Sequence, residues 1–162
     1  MSDSRPIRCL ILACGNPLRG DDGVGPWLAA WAFEHFRHQP DIRVIARQQW
    51  GPELAQDIAA SKHVLFLDAS ATDPPGSVNL RPVEPAVKSG EPMTHHLEAS
   101  GLLALSRNLY GCLPLYAVQL TVGVASSELG EDLSETVRAA LPDACSKIQE
   151  KILDWKQVCP RN

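Results

Sequence analysis

The sequence predicts an α/β protein, a three-layer domain around a mostly parallel sheet of about five strands. Three observations carry this. Short apolar runs recur between stretches with helical spacing. Several of these runs end at glycine or aspartate. One proline–glycine turn, Asp73-Pro74-Pro75-Gly76, is followed by a return strand, which makes the sheet mixed rather than purely parallel.

The elements follow in order. Ile7 to Cys14 reads as a buried strand ending at Gly15. Gly15 to Gly25 is a loop with four glycines and one proline. From Pro26 the pattern turns helical, with the pairs Trp27, Trp31 and Leu28, Ala32 marking an apolar face. Pro26 is tolerated because it falls in the first turn. Arg43 to Ala46 is a second strand and Pro52 to Ala60 a short helix. Val64 to Leu67 is a strongly apolar strand running into Asp68. Ser77 to Leu80 is the return strand, at a sheet edge, and Pro82 to Pro92 an irregular loop. His95 to Leu109 is an amphipathic helix with Leu97, Leu102 and Leu105 inward, ended by Gly111. Tyr116 to Val124 is a strand, and Ser134 caps a last helix running to about Trp155.

Composition narrows the function classes. The 162 residues form one domain, residues 1–162, long enough to bury a core without staples. Hydrophobic residues make up 44%, and the net charge of −4 is scattered, with no basic face for nucleic acid. No run approaches the roughly 20 apolar residues of a membrane helix, and no signal-peptide pattern occurs. Five cysteines without a C-x-x-C pair suggest free thiols rather than a zinc or redox motif. A soluble, cytoplasmic monomer with no nucleic-acid or membrane partner is expected.

Three places could carry chemistry. In a parallel sheet, ligands bind beyond the carboxyl ends of the strands. The loop Gly15-Asn16-Pro17-Leu18-Arg19-Gly20-Asp21-Asp22-Gly23-Val24-Gly25 lies there. Its glycine spacing fits neither a dinucleotide nor a P-loop motif, and paired aspartates repel phosphate. One aspartate caps the helix, which leaves the other for a metal or a proton. Asp68 stands at the mouth of the sheet, as a turn former or a functional acid. Thr94-His95-His96 opens the third helix, where one imidazole can serve as ligand or base. Two carboxylates and an imidazole suit zinc, nickel or a similar ion and leave positions open. Neither H-E-x-x-H nor G-x-S-x-G occurs.

The string at positions 15–25, G-N-P-L-R-G-D-D-G-V-G, resembles the N-terminal signature of hydrogenase maturation endopeptidases. The resemblance continues through Gln49-Trp50-Gly51-Pro52-Glu53-Leu54-Ala55, Val64 to Ala69, Thr94-His95-His96-Leu97 and Glu128 to Ser134. It implies a three-layer α/β/α sandwich with a central twisted five-stranded sheet. It also implies an endopeptidase that removes the C-terminal extension of a nickel-iron hydrogenase large-subunit precursor after nickel insertion. Carried over position by position, Asp22, Asp68 and His95 are the catalytic and metal-contacting residues. His95 is preferred to His96 because Leu97, Leu102 and Leu103 then fall at the family's offsets. Some relatives have Glu where Asp22 stands, and the segment around Gln49-Trp50 departs from a glycine-rich version. The resemblance implies that the metal is nickel, held in the substrate and contacted by these side chains. The attacking water is activated either by metal or by a carboxylate base. Gly20, Gly23 and Gly25 would admit a substrate backbone. The competing readings are a non-catalytic nickel-binding assembly factor, a small nucleotide- or phosphoester-binding enzyme, and a general metallopeptidase.

Overall fold

The computed structural model describes residues 7–87, 97–130 and 132–158. Its sheet has the order β2-β1-β3-β5-β4. The strands are β1 (Cys9–Cys14), β2 (Ile42–Arg47), β3 (His63–Ser70), β4 (Val78–Pro82) and β5 (Tyr116–Gly123). The helices are α1 (Val24–His35), α2 (Leu54–Ala59), α3 (Ala99–Tyr110) and α4 (Glu135–Val158), with a 3-10 turn at Gly20–Gly23 before α1. Among the described strands only β4 runs antiparallel, on β5, as the Pro74-Pro75-Gly76 turn predicted.

The two-residue period of the strands sorts their side chains into two cores. Cys9, Ile11, Ala13, Leu65 and Leu67 pack with α1 and α4. Leu10, Leu12, Val64 and Phe66 pack with α2 and α3. β1 and β3 are buried on both faces, which is why both read as continuous apolar runs. Each fully buried Leu or Phe contributes roughly 1.5–3 kcal/mol.

Several helix faces differ from the sequence expectation. The buried stripe of α1 is Val24, Leu28, Ala29 and Ala32, while Trp27 is exposed and Trp31 only partly buried. In α3 the inward residues are Ala99, Leu102, Leu103 and Ser106, and Leu105 is only half-buried. α3 starts at Ala99 rather than His95; residues 88–96 lie outside the described residues. Gly111 ends α3 in the left-handed conformation, φ 67°. Ser134 caps α4 through its hydroxyl, which accepts from the Val137 amide at 3.3 Å. No helix among the described residues is long and apolar enough to cross a membrane.

At the amino end of β3, His63 is fully buried between the rings of Tyr116 and Trp155, at centroid distances of 5.7 and 5.0 Å. Neither ring nitrogen has a hydrogen-bond partner among the described residues. Burial lowers its pKa below 6.5, with the Arg8 and Lys62 charges adding to the effect. A depressed imidazole pKa contributes stability that is present above the unfolded value and lost as pH falls through the folded one. His63→Phe is expected to keep the stack and flatten this acid loss. Thermal unfolding at pH 7.5 and 5.5 checks it: the Tm drop between the two should shrink relative to the parent.

Candidate active site

The strand order reverses between β1 and β3: the chain leaves β1 for β2 on one side and returns to β3 on the other. Such a switch point opens a crevice beyond the strand ends. Here it is a cleft of ≈ 410 Å³ whose walls include Cys14, Gln49, Trp50, Asp68, Glu98 and Thr121. A second hollow of ≈ 400 Å³ adjoins it, lined by Cys14, Gly15, Asn16, Arg19, Asp22, Gln48 and Gln49. Cys14 and Gln49 belong to both, so Asp22 and Asp68 border two halves of one depression.

The glycine-rich loop is folded tightly back on β1. A Cβ at Gly25 would stand 2.2 Å from the Cys14 carbonyl, and one at Gly15 would stand 2.0 Å from the Asp22 carbonyl. These two glycines let the start of α1 press against the end of β1 and so set Asp22 beside Cys14. The expectation that Gly20, Gly23 and Gly25 admit a substrate backbone is corrected. The space at all three is filled by the chain's own backbone, from Ser126 and Glu128, from Pro17, and from Cys14.

The two adjacent aspartates have separate tasks, and neither caps α1, which has no side-chain cap. Asp21 is 1% exposed. It accepts from the Ala125 and Ser126 amides at 2.9 and 3.1 Å, and from the Ser134 amide and hydroxyl at 2.6 and 2.9 Å. Burial pushes its pKa up, but these donors outweigh that and hold it below the ordinary value. Asp21 thus ties the loop to the β5–α4 connection. Asp22 uses Oδ2 to accept from the Asn16 amide at 2.7 Å and lines the depression.

Asp68 is the most perturbed carboxyl of the cleft. Burial drives its pKa up to about 6; the Ala69 amide, donating to Oδ1 at 2.8 Å, opposes this, and the Asp22 and Glu98 charges reinforce it. It lies within β3, opposite Thr121 of β5, rather than just after the strand. Cys14 is pushed up to about 11, by burial and by the Asp68 and Asp22 charges. It is therefore a neutral thiol, donating to the Gln48 carbonyl at 3.4 Å, not a nucleophile. The Trp50 indole N–H is buried in the same wall without an acceptor among the described residues.

The structure thus brings Asp22 and Asp68 together, while His95 lies outside the described residues. Among the described residues no three His, Cys, Asp or Glu side chains form a ready metal cluster. Nothing in the sequence marks Glu98 as a site residue, and Cys14, beside the first loop, carries no mark of a nucleophile, in keeping with its raised pKa. Cys14 was legible as the end of a strand before a loop, but its place between two acids depends on strand order.

Neither a family model nor a curated protein matches the chain. Solved structures do. A hydrogenase maturating endopeptidase, HybD, from E. coli superposes with a TM-score of 0.73 at 21% identity, over 91% of this chain and 93% of that one. The fold is that of the hydrogenase maturation endopeptidases. A [NiFe] hydrogenase maturation protease, HycI, from Thermococcus kodakarensis matches with a TM-score of 0.67 at 24% identity, covering 91% and 93%. A hydrogenase 2 maturation peptidase from a Thaumarchaeota archaeon matches with a TM-score of 0.66 at 24% identity, covering 90% and 97%. Within this fold, the acids occupy the switch-point crevice, the position where an open α/β sheet places its ligands.

Proposed function

We propose that this chain is an endopeptidase of the hydrogenase-maturation type, removing the C-terminal extension of a nickel-iron hydrogenase large-subunit precursor after nickel insertion. The observation that carries the reading is the pair Asp22 and Asp68 flanking one depression at the switch point of a fold shared with such proteases. A pKa of about 6 leaves Asp68 mostly ionised at neutral pH yet able to hold a proton. As general base it takes a proton from water while the water oxygen attacks the scissile carbonyl. The proton then passes to the amide nitrogen as the C–N bond breaks. Asp22, fixed by the Asn16 amide, and His95, two residues before the cleft-lining Leu97, contact the nickel that the substrate carries. A carboxylate and an imidazole are donors suited to that ion, and contact with it reports that insertion is complete.

Mass spectrometry of a hydrogenase large-subunit precursor incubated with the protein tests this. A discrete C-terminal peptide should leave the nickel-loaded precursor only, and Asp22→Asn should abolish its release. Cleavage of nickel-free precursor would refute the metal-recognition half of the reading. Intact nickel-loaded precursor across a panel of large subunits would refute the peptidase.

A further inference from the structure

The two edges of the sheet are finished differently. At β4 the Val78 carbonyl accepts from Lys147 Nζ at 3.2 Å, and the strand ends at Pro82, which has no amide hydrogen. Charge and proline are the usual means of closing an edge to further pairing. β2 forms the other edge, with no strand on its outer side among the described residues. It contains no proline.

The direction of its backbone groups follows from its partner. The Asp41 carbonyl accepts from the Cys9 amide and the Arg47 carbonyl from the Gly15 amide, both at 3.1 Å. Odd-numbered positions therefore face β1, and Val44 and Ala46 turn their amides outward. Among the described residues, the outward Ala46 carbonyl is held only by the Arg47 side chain, Nη1 at 2.9 Å. Arg43 is engaged by Asp57 of α2 at 2.6 Å. The open edge runs straight into the site, because Gln48 and Gln49, next after Arg47, line the depression. At about 3.3 Å per residue, Ala46 lies within roughly 7 Å of Gln48 along the strand.

We propose that the free edge of β2 binds an extended segment of the protein substrate by strand addition and leads it into the depression between Asp22 and Asp68. This rests on the endopeptidase reading, which supplies the occupant: a chain that must lie extended at the cleft. Backbone pairing supplies affinity with little demand on side chains.

Hydrogen exchange tests it, on Asp68→Asn protein carrying the nickel-loaded precursor as an isolated complex. The Val44 and Ala46 amides should exchange at least about tenfold more slowly than in the free protein. In an otherwise unaltered enzyme, Ala46→Pro removes one outward amide and no β1 pairing; it should raise KM about tenfold with kcat little changed. If that variant fails to unfold cooperatively, precursor N-methylated at alternate positions of its extension should show the same KM rise with the parent enzyme. Normal cleavage with unprotected amides and unchanged KM overturns the edge proposal and leaves the peptidase standing. Protection in the free protein that grows with its own concentration makes the edge an interface between copies, and overturns it too. No cleavage by the parent enzyme removes both.

Discussion

Asp68→Asn is expected to leave the precursor uncut while making the protein harder to unfold. The two effects have one origin. The carboxyl is buried at the crevice beside the Asp22 and Glu98 charges, and its pKa rises from 3.8 to about 6. A raised carboxyl pKa means that the folded state favours the proton. The stability this contributes is fully present below the unfolded value, near 4, and is lost as pH rises through about 6. At pH 7.5 the ionised group therefore strains the fold, by on the order of 1–3 kcal/mol after allowance for its partial exposure. Asparagine keeps an oxygen for the Ala69 amide and carries no charge. A Tm gain of several degrees at pH 7.5, vanishing near pH 4, should follow. Loss of the base should cost about 10²–10⁴ in kcat. The parent enzyme should in turn show an acid limb in kcat/KM with its midpoint near 6, the value for the ionised cleft. Calorimetry at the two pH values and a cleavage assay measure both. A variant that still cuts, or that melts lower at pH 7.5, would remove Asp68 as the strained general base.

Much of this was legible in the sequence, because local pattern and global architecture agree. β1 and β3 are apolar throughout since both faces are covered, and the Pro-Pro-Gly turn announces the single antiparallel strand. Gly111 and Ser134 perform the terminating and capping tasks their residue types suggest. What pattern could not convey was anything set by strand order. The apolar face of α1 was ambiguous, because Trp27–Trp31 and Leu28–Ala32 repeat at the same spacing and only packing against β1 and α4 selects the second. The same holds for the site. Cys14 meets Asp68 because β3 inserts beside β1, and Glu98 reaches the cleft because α3 packs on that side of the sheet. The acidic signature named two aspartates in a row, but the partners of Asp21 lie more than 100 residues away in the sequence.

That division of labour has a sharp consequence. Asp21→Asn should destabilise the fold by about 3 kcal/mol at neutral pH, whereas Asp22→Asn should change stability little. In Asp21, Oδ1 takes the Ser134 amide and Oδ2 takes the Ala125 and Ser126 amides together with the Ser134 hydroxyl. Asparagine can satisfy one of these sides with its oxygen and must present an NH₂ to the other. Buried N–H donors are then left facing a donor, a cost of roughly 1–3 kcal/mol per unsatisfied group. Asp22 makes one amide contact through Oδ2, and an asparagine oxygen replaces it by a simple rotation. The pH dependence distinguishes the pair further. Asp21 has a lowered pKa, so its contribution is present above the ordinary carboxylate value and lost as pH falls below it. The gap in stability between the parent and Asp21→Asn should therefore narrow in acid. Ser134→Ala removes one hydroxyl donor and the α4 cap and should cost about 1–2 kcal/mol. Combined with Asp21→Asn it should add less than its own single effect, because the two share a contact. Urea titrations of the three single variants and the double variant at pH 7 and at pH 3, below the ordinary carboxylate value of 3.8, resolve this. Equal losses for Asp21→Asn and Asp22→Asn would mean that the latch between the glycine loop and α4 does not hold the loop as its hydrogen bonds imply.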